Sequence, residues 1–342
     1  MPRLAIIGLG LIGGSIGLAL KRAQLPDLEI VGHDAEWGVN RKARKLGAID
    51  SEARTPEAAV EGAALTIIAT PILQVRAVLE RIAPALGEGV AVTDTASTKR
   101  DVLAWAEELL PDSVNFIGGH PIAGKEQAGL DAAEADLFQD RPWAISPSVR
   151  ASEQAIQSVE DMITLAGARP TIIDAAEHDS YLAAVSHLPL VVSSALFSLA
   201  SSGKGWPELA ALAGPGFESA TRLASSNPSL SHDISLTNRE NLLHWLDRFE
   251  EELRRFRGLV ADAGNQEELF EAFATVQTAR DAFLEAPPEK PGPDRPTDRT
   301  SAGERMMAFM VGDYVVRRSK ELQKLMDKRE SDAERRRKRG GR

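Results

Sequence analysis

The chain predicts a parallel α/β sheet with helices on both faces, followed by an all-α domain, and three observations carry that prediction. Over residues 1–173 short apolar runs of β-type residues alternate with amphipathic helical segments, the pattern of a doubly wound sheet. Most of the early runs end in Gly, in an acid or in Pro, as strands do when the chain turns over an edge. Beyond residue 173 the β-type runs stop, and apolar residues recur at three- and four-residue spacing, for example Leu242, Leu246 and Phe249, which is helical periodicity.

The elements follow in order. LAIIG at 4–8 is a first strand, and 11–22, rich in Ile, Leu and Ala, is the helix after it. LEIVGHD at 28–34 and ALTIIATP at 64–71 are the next strands, with a helix over 73–86. GVAVTDT at 89–95 precedes a helix over 99–110; NFIGGHP at 115–121, RPWAISP at 141–147 and RPTIID at 169–174 complete the sheet. Four helices are expected after that, over 176–200, 206–225, 229–262 and 265–284. The second of the two domains must bury long apolar helices such as 181–200, which a small helical domain does poorly alone. An intertwined homodimer is therefore expected.

A chain of 342 residues exceeds what one compact core usually holds. The expected division is 1–173 for the sheet domain, 174–285 for the helical domain, 286–302 for a Pro-rich disordered linker, and 303–342 for a helix with a basic disordered tail. That last helix, over 303–329, carries an apolar face of Met306, Met307, Phe309, Met310 and Val315. The absence of cysteine excludes disulfides, zinc–thiolate sites and a cysteine nucleophile. It fits a reducing, cytoplasmic setting. The apolar start is better explained as a buried first strand than as a secretory leader. No stretch reads as apolar enough over about 18 residues to span a bilayer, so no membrane partner is expected. The net charge of -10 is spread along the chain, which makes nucleic acid an unlikely partner of the main body; only Arg335 to Arg339 form a basic cluster. No metal site is expected.

Gly8, Gly10 and Gly13 form a G-x-G-x-x-G loop between the first strand and the first helix. The first glycine permits a tight turn, the second lets the backbone approach a pyrophosphate, and the third allows close helix–strand packing. Leu11 and Ile12 start a helix whose free N–H groups and partial positive charge suit phosphate. This is the loop of a Rossmann-type dinucleotide fold. Asp34 ends the second strand, 21 residues after Gly13, where a carboxylate accepts ribose hydroxyls and repels a 2′-phosphate. NAD is expected over NADP, although Arg41 and Arg44 leave some room for the latter. Thr70 and Pro71 end the third strand, where a dinucleotide should lie; a plain strand-ending turn, with Pro opening a helix, explains them equally.

DTASTK at 94–99 and GGHPIAGKEQAG at 118–129 each stand at the C-terminal end of an expected strand. With GLGLIGGS at 8–15, SHLPLVVSSAL at 186–196 and GPGFESATRLASSNP at 214–228, they resemble the prephenate/arogenate dehydrogenase family, in order, over roughly 1–285. The resemblance implies an NAD-dependent oxidative decarboxylation of a cyclohexadienol in the tyrosine branch, prephenate to 4-hydroxyphenylpyruvate, with arogenate as the alternative substrate. It implies His120 as the base, with an imidazole pKa of about 6.5 suited to neutral pH. It implies Ser97 as a hydroxyl bonded to the substrate and to that histidine, Glu126 as an acid at the pocket mouth, Arg222 as the carboxylate-binding cation, and His187 as a polar substrate contact. Plainer roles stay open: Ser97 could cap the following helix, His187 could be a satisfied core histidine, Arg222 could serve an internal ion pair, and Glu126 could pair with Lys125 or Arg222. A nucleotide-sensing regulator that has lost the chemistry is the non-enzymatic alternative, and Ser97, His120 and Arg222 together speak against it.

Overall fold

The computed structural model describes residues 2–125, 127–286 and 301–312. It divides into two compact units. The first takes the chain up to His178, together with Asn227–Asp233 and 301–312; the second takes Asp179–Ser226 and the helices that follow Ile234.

The first unit is built on an eight-stranded sheet: β1 (Arg3–Ile7), β2 (Glu29–His33), β3 (Ser51–Glu52), β4 (Leu65–Ile68), β5 (Ala91–Asp94), β6 (Asn115–Pro121), β7 (Pro142–Pro147) and β8 (Arg169–Ile172). Their order across the sheet is β3-β2-β1-β4-β5-β6-β7-β8. Strands β1 to β6 run parallel. The chain moves outward from β1 through β2 on one side and from β4 onward on the other, so the order reverses between β1 and β4, the place where such sheets bind ligands. Leu4, Ile6, Leu65 and Ile67 are fully buried, as expected of parallel strands covered on both faces. The helices are α1 (Leu11–Arg22), α2 (Trp37–Lys45), α3 (Pro56–Val60), α4 (Ile72–Ile82), α5 (Arg100–Leu109) and α6 (Glu153–Leu165).

Two features of this sheet depart from the sequence reading. Strand β7 runs antiparallel to β6, because the described residues between them hold a short 3₁₀ turn at Leu130–Ala132 and no crossover helix. The two-residue edge strand β3 is also new, too short to leave a pattern.

The second unit is helical. α7 (Ala175–Leu182), which carries the chain out of the first unit, and α8 (Leu188–Ser201) join through a π-helical turn at Ala183–His187. Pro189 lies just beyond that turn. Its ring cannot accept a normal helical neighbour four residues back and its nitrogen donates nothing, so the widened turn absorbs the misfit. The helix therefore runs unbroken over Ala175–Ser201, 27 residues of mean hydropathy 1.8 in the most apolar window. By length and composition it could cross a membrane, which corrects the expectation that no stretch is apolar enough; continuity through Pro189 is what makes it so.

The expected helix 206–225 is instead α9 (Trp206–Ala211), α10 (Pro215–Thr221) and a 3₁₀ turn at Arg222–Ser225. Gly214 is extended and Pro215 opens the next helix. The expected helix 229–262 breaks at Asn238, whose φ of -124° and ψ of 33° are non-helical, giving α11 (Pro228–Thr237) and α12 (Arg239–Ala261). α13 (Gln266–Glu285) follows.

A last helix, α14, covers 301–312, so Ser301 and Ala302 belong to it rather than to a linker. Ala302, Met306 and Met310, four residues apart, are fully buried in the core of the first unit. The Arg305 guanidinium donates to the buried Asp161 carboxylate at 2.5 Å. Residues 287–300 of the expected linker, Val315 and the basic cluster lie outside the described residues.

Candidate active site

The crevice where the strand order reverses is formed by the end of β1 and the end of β4. Gly8 has φ +92°, and a Cβ there would stand 2.5 Å from the Ala69 carbonyl oxygen. A Cβ on Gly13 would stand 1.9 Å from the Gly8 carbonyl oxygen. Both positions are closed to any larger residue by neighbouring backbone. Gly10 differs: nothing lies within 4 Å of its would-be Cβ. Its lack of a side chain serves open space, the condition for a ligand to approach the main chain. Gly10 also caps α1 without any side-chain bond, which leaves the first N–H groups of that helix, including those of Leu11 and Ile12, without a side-chain cap.

Asp34 is fastened beside this loop. Its Oδ2 accepts the Leu9 N–H at 2.8 Å and its Oδ1 accepts the Glu36 N–H at 2.9 Å. Asn40, fully buried, brackets the Asp34 peptide by accepting from its N–H and donating to its carbonyl, both at 2.8 Å. Arg44 faces Glu52 at 3.8 Å. On the β4 side, the Thr70 hydroxyl is buried and has no hydrogen-bond partner among the described residues. Such an atom calls for an absent acceptor or donor. The orphaned hydroxyl, the cradle at Gly10 and the fixed carboxylate fit a dinucleotide. Pro71 caps α4 immediately after.

The neighbouring strand ends are held by a buried ion pair. Lys99 and Asp94 are both fully buried and paired with each other. The Lys99 ammonium also donates to the Gly119 carbonyl at 2.7 Å, while Asp94 Oδ1 accepts the Gly119 N–H at 3.0 Å. Asp94 Oδ2 accepts the Ala96 N–H at 2.8 Å. One pair thus secures the N–H and the carbonyl of Gly119, the residue before His120, and the turn that carries Ser97. Lys99, not Ser97, occupies the cap position of α5. Both residues lay within the DTASTK motif, but only burial reveals their task.

His120, on β6, is 8% exposed. Its Nδ1 stands 2.9 Å from Nε2 of His178, a fully buried residue of α7, with the two rings 5.1 Å apart and steeply inclined at 71°. His178 belongs to no motif that sequence reasoning could weigh; it lies 58 positions downstream. Glu126 lies outside the described residues. Its neighbour Lys125 pairs with Glu134.

In the second unit, His187 ends the π turn and is buried. Its Nδ1 accepts from Asn238 Nδ2 at 3.0 Å, and the same amide donates to the Asp179 carbonyl at 2.7 Å. The break at Asn238 therefore anchors the π turn. Arg222 is exposed at the start of its 3₁₀ turn, and the residues before it are tied to α8 by Ser193, whose hydroxyl donates to the Ala220 carbonyl at 2.8 Å. The structure thus brings Ser97 and His120 onto adjacent strand ends, and it places Arg222 and His187 in the other unit. Among the described residues no cluster of His, Asp and Glu could hold a metal ion.

Comparison with known proteins gives a consistent result. Residues 16–172 match the nucleotide-binding domain of the prephenate dehydrogenase family, and residues 174–275 match its dimerization domain. The chain is 34% identical over 280 residues to a prephenate dehydrogenase of Bacillus subtilis (strain 168), an alignment covering 81% of this chain and 75% of that one. It is 36% identical over 279 residues to a cyclohexadienyl dehydrogenase of Zymomonas mobilis, covering 81% and 94%. Among solved structures it resembles prephenate dehydrogenase from A. aeolicus in complex with hydroxyphenyl propionate and NAD+, with a TM-score of 0.76, 28% identity, and 83% and 98% of the two chains covered.

Proposed function

The chain belongs to the prephenate dehydrogenase family, and from that premise we propose that it converts prephenate to 4-hydroxyphenylpyruvate with NAD as the hydride acceptor. The observation that carries this reading is His120: a buried imidazole at the C-terminal end of β6, on the sheet edge that also bears the Gly8–Gly13 loop and Thr70.

When bound, NAD supplies the nicotinamide that takes hydride from the ring carbon bearing the hydroxyl. His120 takes the proton of that hydroxyl. Carbon dioxide then leaves with its bonding electrons left in the ring, which becomes aromatic, and the proton held by His120 returns to the phenolate oxygen. No proton is gained or lost overall, so the protein needs one base and a way to hold two carboxylates. Ser97 orients the hydroxyl, Arg222 grips a carboxylate through its guanidinium fork, His187 contributes a polar contact, and Glu126 guards the mouth. Asp34, Thr70, Pro71 and the loop from Gly8 to Gly13 hold the cofactor. The helices of 174–285 join two copies into a homodimer, and the apolar face of Ala175–Ser201 is covered there rather than by lipid. The reaction belongs to the cytoplasm, where a cysteine-free chain needs no oxidising compartment.

The test is formation of reduced nicotinamide by the purified protein, NADH with prephenate and then with arogenate, and NADPH when NADP replaces NAD. Turnover of prephenate with NAD supports the reading. Arogenate turned over faster than prephenate would move the substrate to the amino acid, and a folded protein inert toward both would overturn the assignment.

A further inference from the structure

We propose that His178 is the positioning residue that sets the tautomer of His120, and so decides which of its nitrogens can act as a base. The inference rests on the reading of His120 as that base. Two neutral imidazoles whose nitrogens stand 2.9 Å apart share one proton between them: one ring donates and the other accepts. If His178 Nε2 donated, His120 Nδ1 would accept, and the one proton of the neutral His120 ring would sit on Nε2. Nε2 would then be a donor with no lone pair to receive a hydroxyl proton. If His120 Nδ1 donates instead, its Nε2 carries the lone pair and His178 keeps its own proton on Nδ1. Only the second arrangement makes a base.

The same contact serves the charged state. Once His120 has taken the proton, its Nδ1–H still points at a neutral acceptor, and the bond becomes charge-assisted and stronger. Two cationic rings at that distance would repel each other, so the contact favours a single positive charge shared across the pair. This places a neutral imidazole where many enzymes place a carboxylate behind the catalytic histidine.

Both rings are built into fixed backbone. Gly119, the residue before His120, is gripped at its N–H by Asp94 and at its carbonyl by Lys99. His178 sits in the first turn of α7, where its N–H bonds to the Asp174 carbonyl at 2.8 Å and the Asp174 carboxylate accepts the Ala176 N–H at 2.8 Å. The ring of His120 therefore cannot swing without breaking a bond between two buried groups.

Histidine-selective nitrogen NMR on the full chain with bound NAD, at a pH where the rings are neutral, reads the tautomer directly. The chain has six histidines, and His120→Asn identifies the signal that matters. His120 is expected to rest with its proton on Nδ1, and in His178→Leu to redistribute toward Nε2. His178→Leu should lower kcat by about 10–100-fold, as loss of an orienting partner does, with KM for both substrates nearly unchanged. His178→Gln, whose amide oxygen can accept from Nδ1, should recover most of the loss. A proton found on Nε2 of His120 in the unaltered protein would overturn the proposal, and so would full turnover in His178→Leu. Equal losses in the Leu and Gln variants would do the same. If neither variant folds, the resting tautomer decides alone. Should His120→Asn retain turnover, the base itself is misassigned; should it fail while His178→Leu stays active, only the present inference falls.

Discussion

In the first unit Leu4, Ile6, Leu65 and Ile67 lie on neighbouring strands and are fully buried, whereas in the second Leu199, Leu212, Phe270 and Phe273 are between 56% and 86% exposed. Among the described residues, the hydrophobic side chains that the helical unit buries are Ala183, Leu190, Ile234 and Leu242. The sheet unit closes its core within one chain and can therefore hold polar groups such as Lys99, Asp94, His120 and His178 in fixed, water-poor positions. The helical unit does not close on itself. Its apolar faces are of the kind that a second copy covers, and its polar residues at the breaks, Asn238 and Arg222, are placed by helix ends rather than by a sheet. A precise proton-transfer group belongs in the first setting, and a dimer surface in the second.

The largest effect should come from the first region. His120→Asn is expected to cut kcat by about 10²–10⁴-fold, the usual loss of a general base, well beyond what its loss of the buried bond to His178 takes from stability; steady-state NADH formation checks it. The dimer is the corresponding claim for the second region. Light scattering should give twice the chain mass, and Phe270→Asp on α13 should shift the mass toward one chain. A monomeric unaltered protein would erase the contrast between the units.

The two glycines of the loop sharpen it further. Gly13→Ala forces backbone apart and should destabilise the protein by about 1–3 kcal/mol. Gly10→Ala meets nothing, so it should leave the melting temperature alone and raise KM for NAD. Identical melting temperatures for the two variants would contradict the packing described. Arg305→Ala should cost about 2 kcal/mol in denaturant unfolding, because it strips charge-assisted bonds from a buried carboxylate. If it costs nothing, α14 is not part of the first core.

The smallest effect is one of pH. The Arg81 guanidinium, bonded to Glu57 at 2.7 Å, holds that carboxyl well below its ordinary value of 4.5, at about 2. A lowered folded-state pKa stabilises above the unfolded value, and that contribution is lost as pH falls from about 4.5 toward 2. Both groups are substantially exposed, so the contribution stays below about 1 kcal/mol. Arg81→Met should flatten the acid limb of the stability curve by that amount.

The readable parts of the fold were those written in local pattern. The helix expected over 11–22 is α1, at Leu11–Arg22, because a glycine loop announces its start and a basic last turn its end. The strand ends that carry DTASTK and GGHPIAGKEQAG were legible for the same reason. The helical unit was read less well. Gly214 and Asn238 interrupt helices whose apolar spacing continues across them, and Pro189 fails to interrupt one where a break is usual. In each case the outcome depends on what the turn bonds to, as Asn238 bonds to Asp179 and His187.

By itself, then, the sequence determined the alternation of strands and helices, the cofactor loop, the likeness to one enzyme family and the identity of the histidine at position 120. Those are properties of neighbours along the chain, set by periodicity, by glycine's missing Cβ and by residue chemistry. Only the tertiary structure decided the reversed direction of β7, the burial of Lys99 against Asp94, the return of α14 to the first core and the meeting of His120 with His178. Each of those depends on chain closure between distant positions, where the free energy comes from desolvating groups against one another, and no local spacing records which groups will meet.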